Sequence, residues 1–191
     1  MQPVKPRRAI FLGTLLGVCA AVALSQTSRH RSDLLPYLTS DGKLQASLVF
    51  RDAQDGFAGV SGEVWTIDAG GHLSMARFLN EKTSTPYREH DLTSVEFKTF
   101  VGTLAANHLL ALPDQLGRDV KVNPHVLTLS FGKMKSELIL QAGESVAEQT
   151  KPPAGDHQAA AWRDFLSIVR ALQVLAKEKD QDRPRTGAEQ R

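Results

Sequence analysis

Apolar and polar residues alternate most regularly in residues 125–140, on both sides of the dipeptide Gly132-Lys133. Glycine in the first position of a two-residue loop is typical of a type II′ turn, because that position needs a positive φ. The stretch therefore predicts a β-hairpin with one apolar face, and the loop length fixes its register. The expected pairs are Phe131 with Met134, Leu129 with Ser136, and Leu127 with Leu138.

The same alternation predicts three earlier strands, over residues 44–51, 63–68 and 72–78. Asp55-Gly56 and Gly70-Gly71 are reversal signals between them. A three-residue loop that ends with Gly71 in the left-handed region brings the large side chains of the second and third strands face to face. The expected pairs are Ile67 with Leu73 and Trp65 with Met75.

Two stretches have apolar residues at helical spacing, and each predicts an amphipathic helix. The first begins at a capping box, in which Thr93 and Glu96 satisfy backbone donors, and runs over about residues 94–110. The second covers about residues 157–177. Strands followed by a helix, a hairpin and a helix are typical of an α+β domain. We expect an antiparallel sheet of about five strands with two helices packed on one face.

Residues 1–25 have the three parts of a secretory signal peptide. A basic start precedes the uncharged residues 9–24, and small residues near position 23 suit cleavage. An uncleaved anchor is the first alternative, although a spanning helix takes about 20 apolar residues. The second alternative is a lipoprotein signal at Cys19, but Val18 stands where such signals carry a small residue.

The rest of the chain suits one domain. We expect a linker over residues 26–43, a single α+β domain over residues 44–177, and a disordered, charge-rich tail over residues 178–191. Three of the 23 Lys and Arg residues lie in the leader, which leaves 20 against 21 Asp and Glu residues. This balance argues against nucleic acid as a partner.

The chain carries no recognisable motif for catalysis or for binding a metal or cofactor. Cys19 is the sole cysteine and lies in the leader, so a cleaved chain has no thiol chemistry. No two histidines have the spacing of a zinc site. We therefore predict no catalytic residues, no metal and no cofactor. The alternative is a hydrolase whose residues meet only in the fold, from among His72, His90, His125 and nearby acids.

Two loops form the candidate binding surface, because function often resides in loops held by a scaffold. The first covers residues 52–59, and Phe57 is its apolar side chain at the turn tip and hence the candidate anchor. The alternative for Phe57 is a core residue that folds inward. The second loop covers residues 113–124. The candidate binding residues are Asp52, Asp55, Phe57, Arg118, Asp119 and Lys121.

The segment Leu48-Val-Phe-Arg-Asp-Ala-Gln-Asp-Gly-Phe-Ala-Gly59 resembles the opening of emfourin-like domains. The order of sheet, helix, Leu-x-Leu-Pro stop, hairpin and terminal amphipathic segment is similar as well, over about residues 44–140. Emfourin-like turns tend to carry Gly-Gly where this chain has Asp55-Gly56. Emfourins are small bacterial protein inhibitors of thermolysin-like metalloproteases. The resemblance implies an inhibitor-like module whose partner is an extracytoplasmic protease.

Together these features predict an exported, non-enzymatic domain that binds a protein partner. Its expected location is the periplasm or the extracellular space, with membrane contact only through residues 9–24 if the leader is retained. An extracytoplasmic hydrolase and an envelope structural protein are the alternatives.

Export is testable on protein isolated from its own host. We expect the intact mass to show loss of about the first 23 to 25 residues, because the small residues at these positions are those that a signal peptidase reads. A full-length product that needs detergent would contradict cleavage and indicate an anchor.

Overall fold

The computed structural model describes residues 34–144 and 158–178. The chain divides into two units, Met1–Pro36 and Tyr37–Arg191, and the architecture below is that of the second unit. The predicted leader, the first part of the predicted linker and all of the predicted tail beyond Glu178 lie outside the described residues.

The described part of the second unit contains one mixed sheet of eight strands. The strands are β1 (Leu48–Gln54), β2 (Ser61–Ile67), β3 (His72–Leu79), β4 (Lys82–Thr83), β5 (Arg88–Asp91), β6 (Gln115–Gly117), β7 (His125–Phe131) and β8 (Met134–Leu140). Their order across the sheet is β4, β3, β2, β1, β7, β8 and β6, and β5 pairs with β3 beside β4. The pairing of β6 with β8 is parallel, whereas the other pairings are antiparallel.

The α+β class is confirmed, but the prediction of about five strands in a purely antiparallel sheet was wrong. Three strands were missed because β4, β5 and β6 have two, four and three residues. A strand this short shows no alternation that a sequence reading can detect. β6 lies in the predicted loop of residues 113–124, and its parallel pairing buries Leu116 completely.

β1 begins four residues later and ends three residues later than predicted. Asp52 was expected in a turn, but it continues the strand and pairs with Glu63 of β2 and with Leu127 of β7. Leu44 was expected to begin the strand. It forms an isolated bridge with Leu38 instead, and it is fully buried.

Two α-helices lie within the described part of the second unit, α1 (Ser94–Ala106) and α2 (Ala159–Glu178). The capping box of α1 is confirmed, since Glu96 N donates to Thr93 Oγ1 (3.3 Å) and Thr93 N donates to Glu96 Oε2 (2.6 Å). α1 ends earlier than predicted, because His108 takes a left-handed conformation with a φ of 47°. A 3₁₀ helix, Leu109–Ala111, follows.

Most of the buried side chains of the sheet lie on one face, and the buried rows of both helices cover that face. The sheet contributes Leu48, Phe50, Ile67, Leu73, Met75, Leu127, Leu129, Phe131, Leu138 and Leu140, and the helices contribute Phe100, Val101, Leu104, Trp162, Phe165, Leu166, Ile168, Val169 and Leu172. Tyr37 belongs to this core as well, with its ring centroid 6.0 Å from that of Phe131. Part of the predicted linker is therefore packed against the domain.

The predicted registers of both hairpins are confirmed. In β7–β8, Phe131 pairs with Met134, and Gly132 has a φ of +60°. In β2–β3, Trp65 pairs with Met75, and Gly71 has a φ of +90°. The polar residue on the apolar face of β8 is also satisfied, because Ser136 is fully buried and its hydroxyl donates to the carbonyl of Pro113 at 2.7 Å.

The register predicts very different losses of stability for two substitutions that are four residues apart. Phe131→Asp places a carboxylate in the core and should lower the free energy of unfolding by about 3 to 5 kcal/mol. Lys135→Asp lies on the open face, where the Lys135 side chain is 62% exposed, and should cost less than about 1 kcal/mol. Chemical denaturation of both variants measures these costs, and equal costs would contradict the register.

Candidate functional site

The two loops nominated as a binding surface lie at the same end of the sheet. Asp55 N donates to the carbonyl of Pro124 at 3.1 Å. The side chain of Gln54 donates to the carbonyl of Asn123, also at 3.1 Å. Both bonds follow from the pairing of β1 with β7, which sets Gln54 opposite His125. We refer to residues 55–60 and 118–124 together as the loop tip.

Phe57 is fully exposed at the loop tip, so the alternative of a core residue folded inward is wrong. Val122 from the second loop is 75% exposed, and Leu79 at the same end of β3 is 50% exposed. Burial of a phenylalanine side chain stabilises a protein by about 1.5 to 3 kcal/mol relative to leaving it in water. The loop tip therefore exposes to solvent an apolar side chain that contact with another protein surface would bury.

Hydrogen bonds fix the first loop at both of its ends. Beside the bond from Asp55 to Pro124, Asn80 accepts from Val60 N through its side chain (3.1 Å) and donates its own N–H to the Val60 carbonyl (2.6 Å). Asn80 can serve both bonds because it takes a left-handed conformation, with a φ of 54°. At Gly59 a Cβ would collide with the Asn80 side chain, so the close approach requires glycine.

His125 holds a third segment to this end of the sheet. Its Nδ1 lies 2.6 Å from the Glu144 carbonyl oxygen, and its Nε2 lies 2.7 Å from Asp52 Oδ1. A carbonyl and a carboxylate both accept, so the geometry fits the doubly protonated imidazolium. The hydrogen bond to Asp52 is the main cause that raises the pKa of His125, and the Asp52 charge and the Glu144 carbonyl add to it against the effect of burial.

The contacts of His125 join β7 to β1 and to the segment that contains Glu144. A general base needs a ring nitrogen with an available lone pair, and both nitrogens of His125 are engaged. Asp52 was predicted as a binding residue, but one of its carboxylate oxygens is engaged by His125 within the domain. His72 lies at the opposite end of the sheet, 2.8 Å from Asp91, so these two histidines do not share a pocket.

The other predicted residues lie at or near the loop tip. Asp55 is half-buried, and Arg118, Asp119 and Lys121 are exposed in the second loop. Lys121 Nζ lies 3.7 Å from Asp119 Oδ2. A surface pair of this kind contributes at most about 1 kcal/mol.

A groove of about 450 Å³ opens on the face of the sheet that the helices leave uncovered. Asp55 and Pro124 of the loop tip line one end of it, so groove and loop tip are continuous. Along the strands its lining includes Arg51, Thr128, Ser130, Lys135 and Glu137. The sequence reading missed this surface, because the neighbours of β1 across the sheet were not known.

Among residues 34–144 and 158–178, no three His, Cys, Asp or Glu side chains are grouped as a metal site requires. No helix in that part of the chain has the length and apolar character to span a bilayer. No protein-family model matches the chain, and no curated protein is similar to it in sequence.

The contact of His125 with Asp52 predicts a pH-dependent stability. The pKa of His125 in the folded state is raised above the unfolded value of about 6.5. The stabilisation that the contact supplies is therefore complete below that pH and disappears as the pH rises through the folded pKa. His125→Gln should therefore lower the free energy of unfolding by about 1 to 3 kcal/mol at pH 6 and by less at pH 9.

Urea denaturation of both proteins at the two pH values measures the difference. His72→Gln is the control, because the pKa of His72 is also raised, mainly by its hydrogen bond to Asp91, but its side chain is 39% exposed. The loss of stability should change less with pH in His72→Gln than in His125→Gln. A deficit of His125→Gln that does not change with pH would contradict the imidazolium assignment.

Proposed function

We propose that this domain is an exported protein-binding module that acts through the loop tip and has no chemistry of its own. The observation that carries the proposal is Phe57, an aromatic side chain wholly in water at the apex of a turn. Aromatic side chains at the centre of a contact surface often supply a large share of the binding energy.

The fixed ends of the first loop support this role. Association costs less when the binding segment is already ordered, because less conformational entropy is lost on docking. Backbone hydrogen bonds to Pro124 and Val60 hold the two ends of the turn that carries Phe57. The apex is thus presented by the sheet rather than by a loose segment.

The class of partner that we propose is an extracytoplasmic metalloprotease. The support is the resemblance of residues 48–59 to the opening of emfourin-like domains, together with the secretory pattern of the leader. The same residues form β1 and the turn that carries Phe57. An inhibitor of this kind must present a rigid surface from loops held by a sheet, because little entropy is then lost on docking, and the loop tip has that form.

The test is capture of a partner from the host's extracytoplasmic fraction with the purified domain as bait. Phe57→Ser should reduce capture at least about tenfold, because it removes the proposed anchor, and should leave the melting temperature nearly unchanged, because Phe57 buries nothing. Val95→Ser is the matched control, since Val95 is 75% exposed on α1. It should leave capture intact.

The captured fraction is then assayed for protease activity with and without added domain. Inhibition by the domain and its loss in Phe57→Ser are the expected results. The proposal fails if capture is equally strong with Phe57→Ser. It also fails if the purified domain hydrolyses a substrate and loses that activity when a histidine or aspartate is replaced, which would indicate the hydrolase alternative.

A further inference from the structure

The groove on the open face contains a cation without a matching acid. The guanidinium of Arg51 lies over the ring of Phe78, with its central carbon 3.9 Å from the ring centroid. Its Nη2 donates to the carbonyl of Asn80 at 3.3 Å. Among the described residues no carboxylate is within ion-pair distance of Arg51, including Asp55 at the end of the groove.

The second cation of the groove is already neutralised. Lys135 Nζ lies 2.7 Å from Glu137 Oε1. Between the two cations, β7 presents the hydroxyl groups of Thr128 and Ser130 to the groove. Thr128 is the cross-strand partner of Arg51, and Ser130 is the partner of Lys135. The open face thus combines one uncompensated guanidinium with two hydroxyl groups.

We infer that this groove binds an acidic side chain of the protein partner, carried on an extended segment that crosses the open face beside the loop tip. The inference rests on the proposed function, because a partner seated on Phe57 is the one that would reach the groove. A carboxylate matches the planar donors of a guanidinium and forms short, charge-assisted hydrogen bonds with it. Stacking on Phe78 orders the Arg51 side chain in advance, which reduces the entropy lost on binding.

The choice of a carboxylate follows from charge. An ion pair in a concave, partly desolvated site is stronger than one on an open surface, because the effective dielectric is lower. Arg51 is half-buried and lacks an acid partner, so a carboxylate gains more there than beside Lys135. A neutral amide of the same shape would lack the charge and should bind much less well.

The experiment is an NMR titration of the purified chain with two probes, acetyl-Gly-Glu-Gly-amide and acetyl-Gly-Gln-Gly-amide. The glutamate peptide should give saturable shifts at the amides of Thr128 and Ser130. The glutamine peptide should bind at least about fivefold more weakly, because it cannot form a charge-assisted bond. Sodium acetate, a free carboxylate, should bind more weakly than the glutamate peptide.

Three variants locate the effect. Arg51→Gln should abolish the preference for glutamate, whereas Glu137→Gln should raise the affinity for the glutamate peptide several-fold, because it releases Lys135. Arg77→Gln is the matched control, since Arg77 also stacks on an aromatic ring, 5.5 Å from Tyr87, but its alternation in β3 places it on the other face. It should leave binding unchanged.

Equal binding of both peptides, an unchanged preference for glutamate in Arg51→Gln, or no gain in affinity in Glu137→Gln would each overturn the inference. Acetate that binds as tightly as the glutamate peptide would overturn it too, since the ligand would then be a small free acid. Failure of these titrations while capture still depends on Phe57 refutes the groove alone. If no partner is captured with the domain as bait, the proposed function is refuted, and the protein partner that would carry the acidic side chain is refuted with it.

Discussion

The seven-residue ladder between β1 and β7 is the pairing on which the rest of the domain depends. It runs from Leu48 opposite Phe131 to Gln54 opposite His125. Among the strands that the structure describes, β2 to β5 connect to β6 and β8 through this ladder alone. Its alternation gives one continuous buried face for both helices, and its register decides which loops meet at the sheet ends.

The ladder also explains why the loop tip and His125 lie together. The turn that carries Phe57 leaves β1 directly beside the point where the second loop enters β7. The alternation of β1 places Asp52 on the same face as Leu48 and Phe50, within reach of the imidazole at the head of β7. The exposed position of Phe57 and the ion pair of His125 with Asp52 thus both follow from the register of β1 with β7.

Local signals in the sequence were sufficient for the elements with local causes. The β7–β8 hairpin followed from alternation and a glycine turn, and the start of α1 followed from Thr93 and Glu96. The shared end of the two loops was not readable, because it depends on strands that are about 70 residues apart in the chain. A signal for the dyad of His125 and Asp52 did exist, since His125 precedes an apolar row in β7 and Asp52 lies on the same face of β1 as Leu48 and Phe50. Their pairing needed the strand order.

The short strands β4, β5 and β6 have a consequence for how the domain associates with other chains. β4 and β5 together occupy most of the outer edge of β3, and β6 occupies part of the outer edge of β8. Unpaired backbone groups along a long, straight edge would invite a strand from another molecule and, at high concentration, fibrillar aggregation. Here the edges are divided into segments of two to four residues. Along the described strands, the backbone of this sheet is therefore a poor template for strand addition.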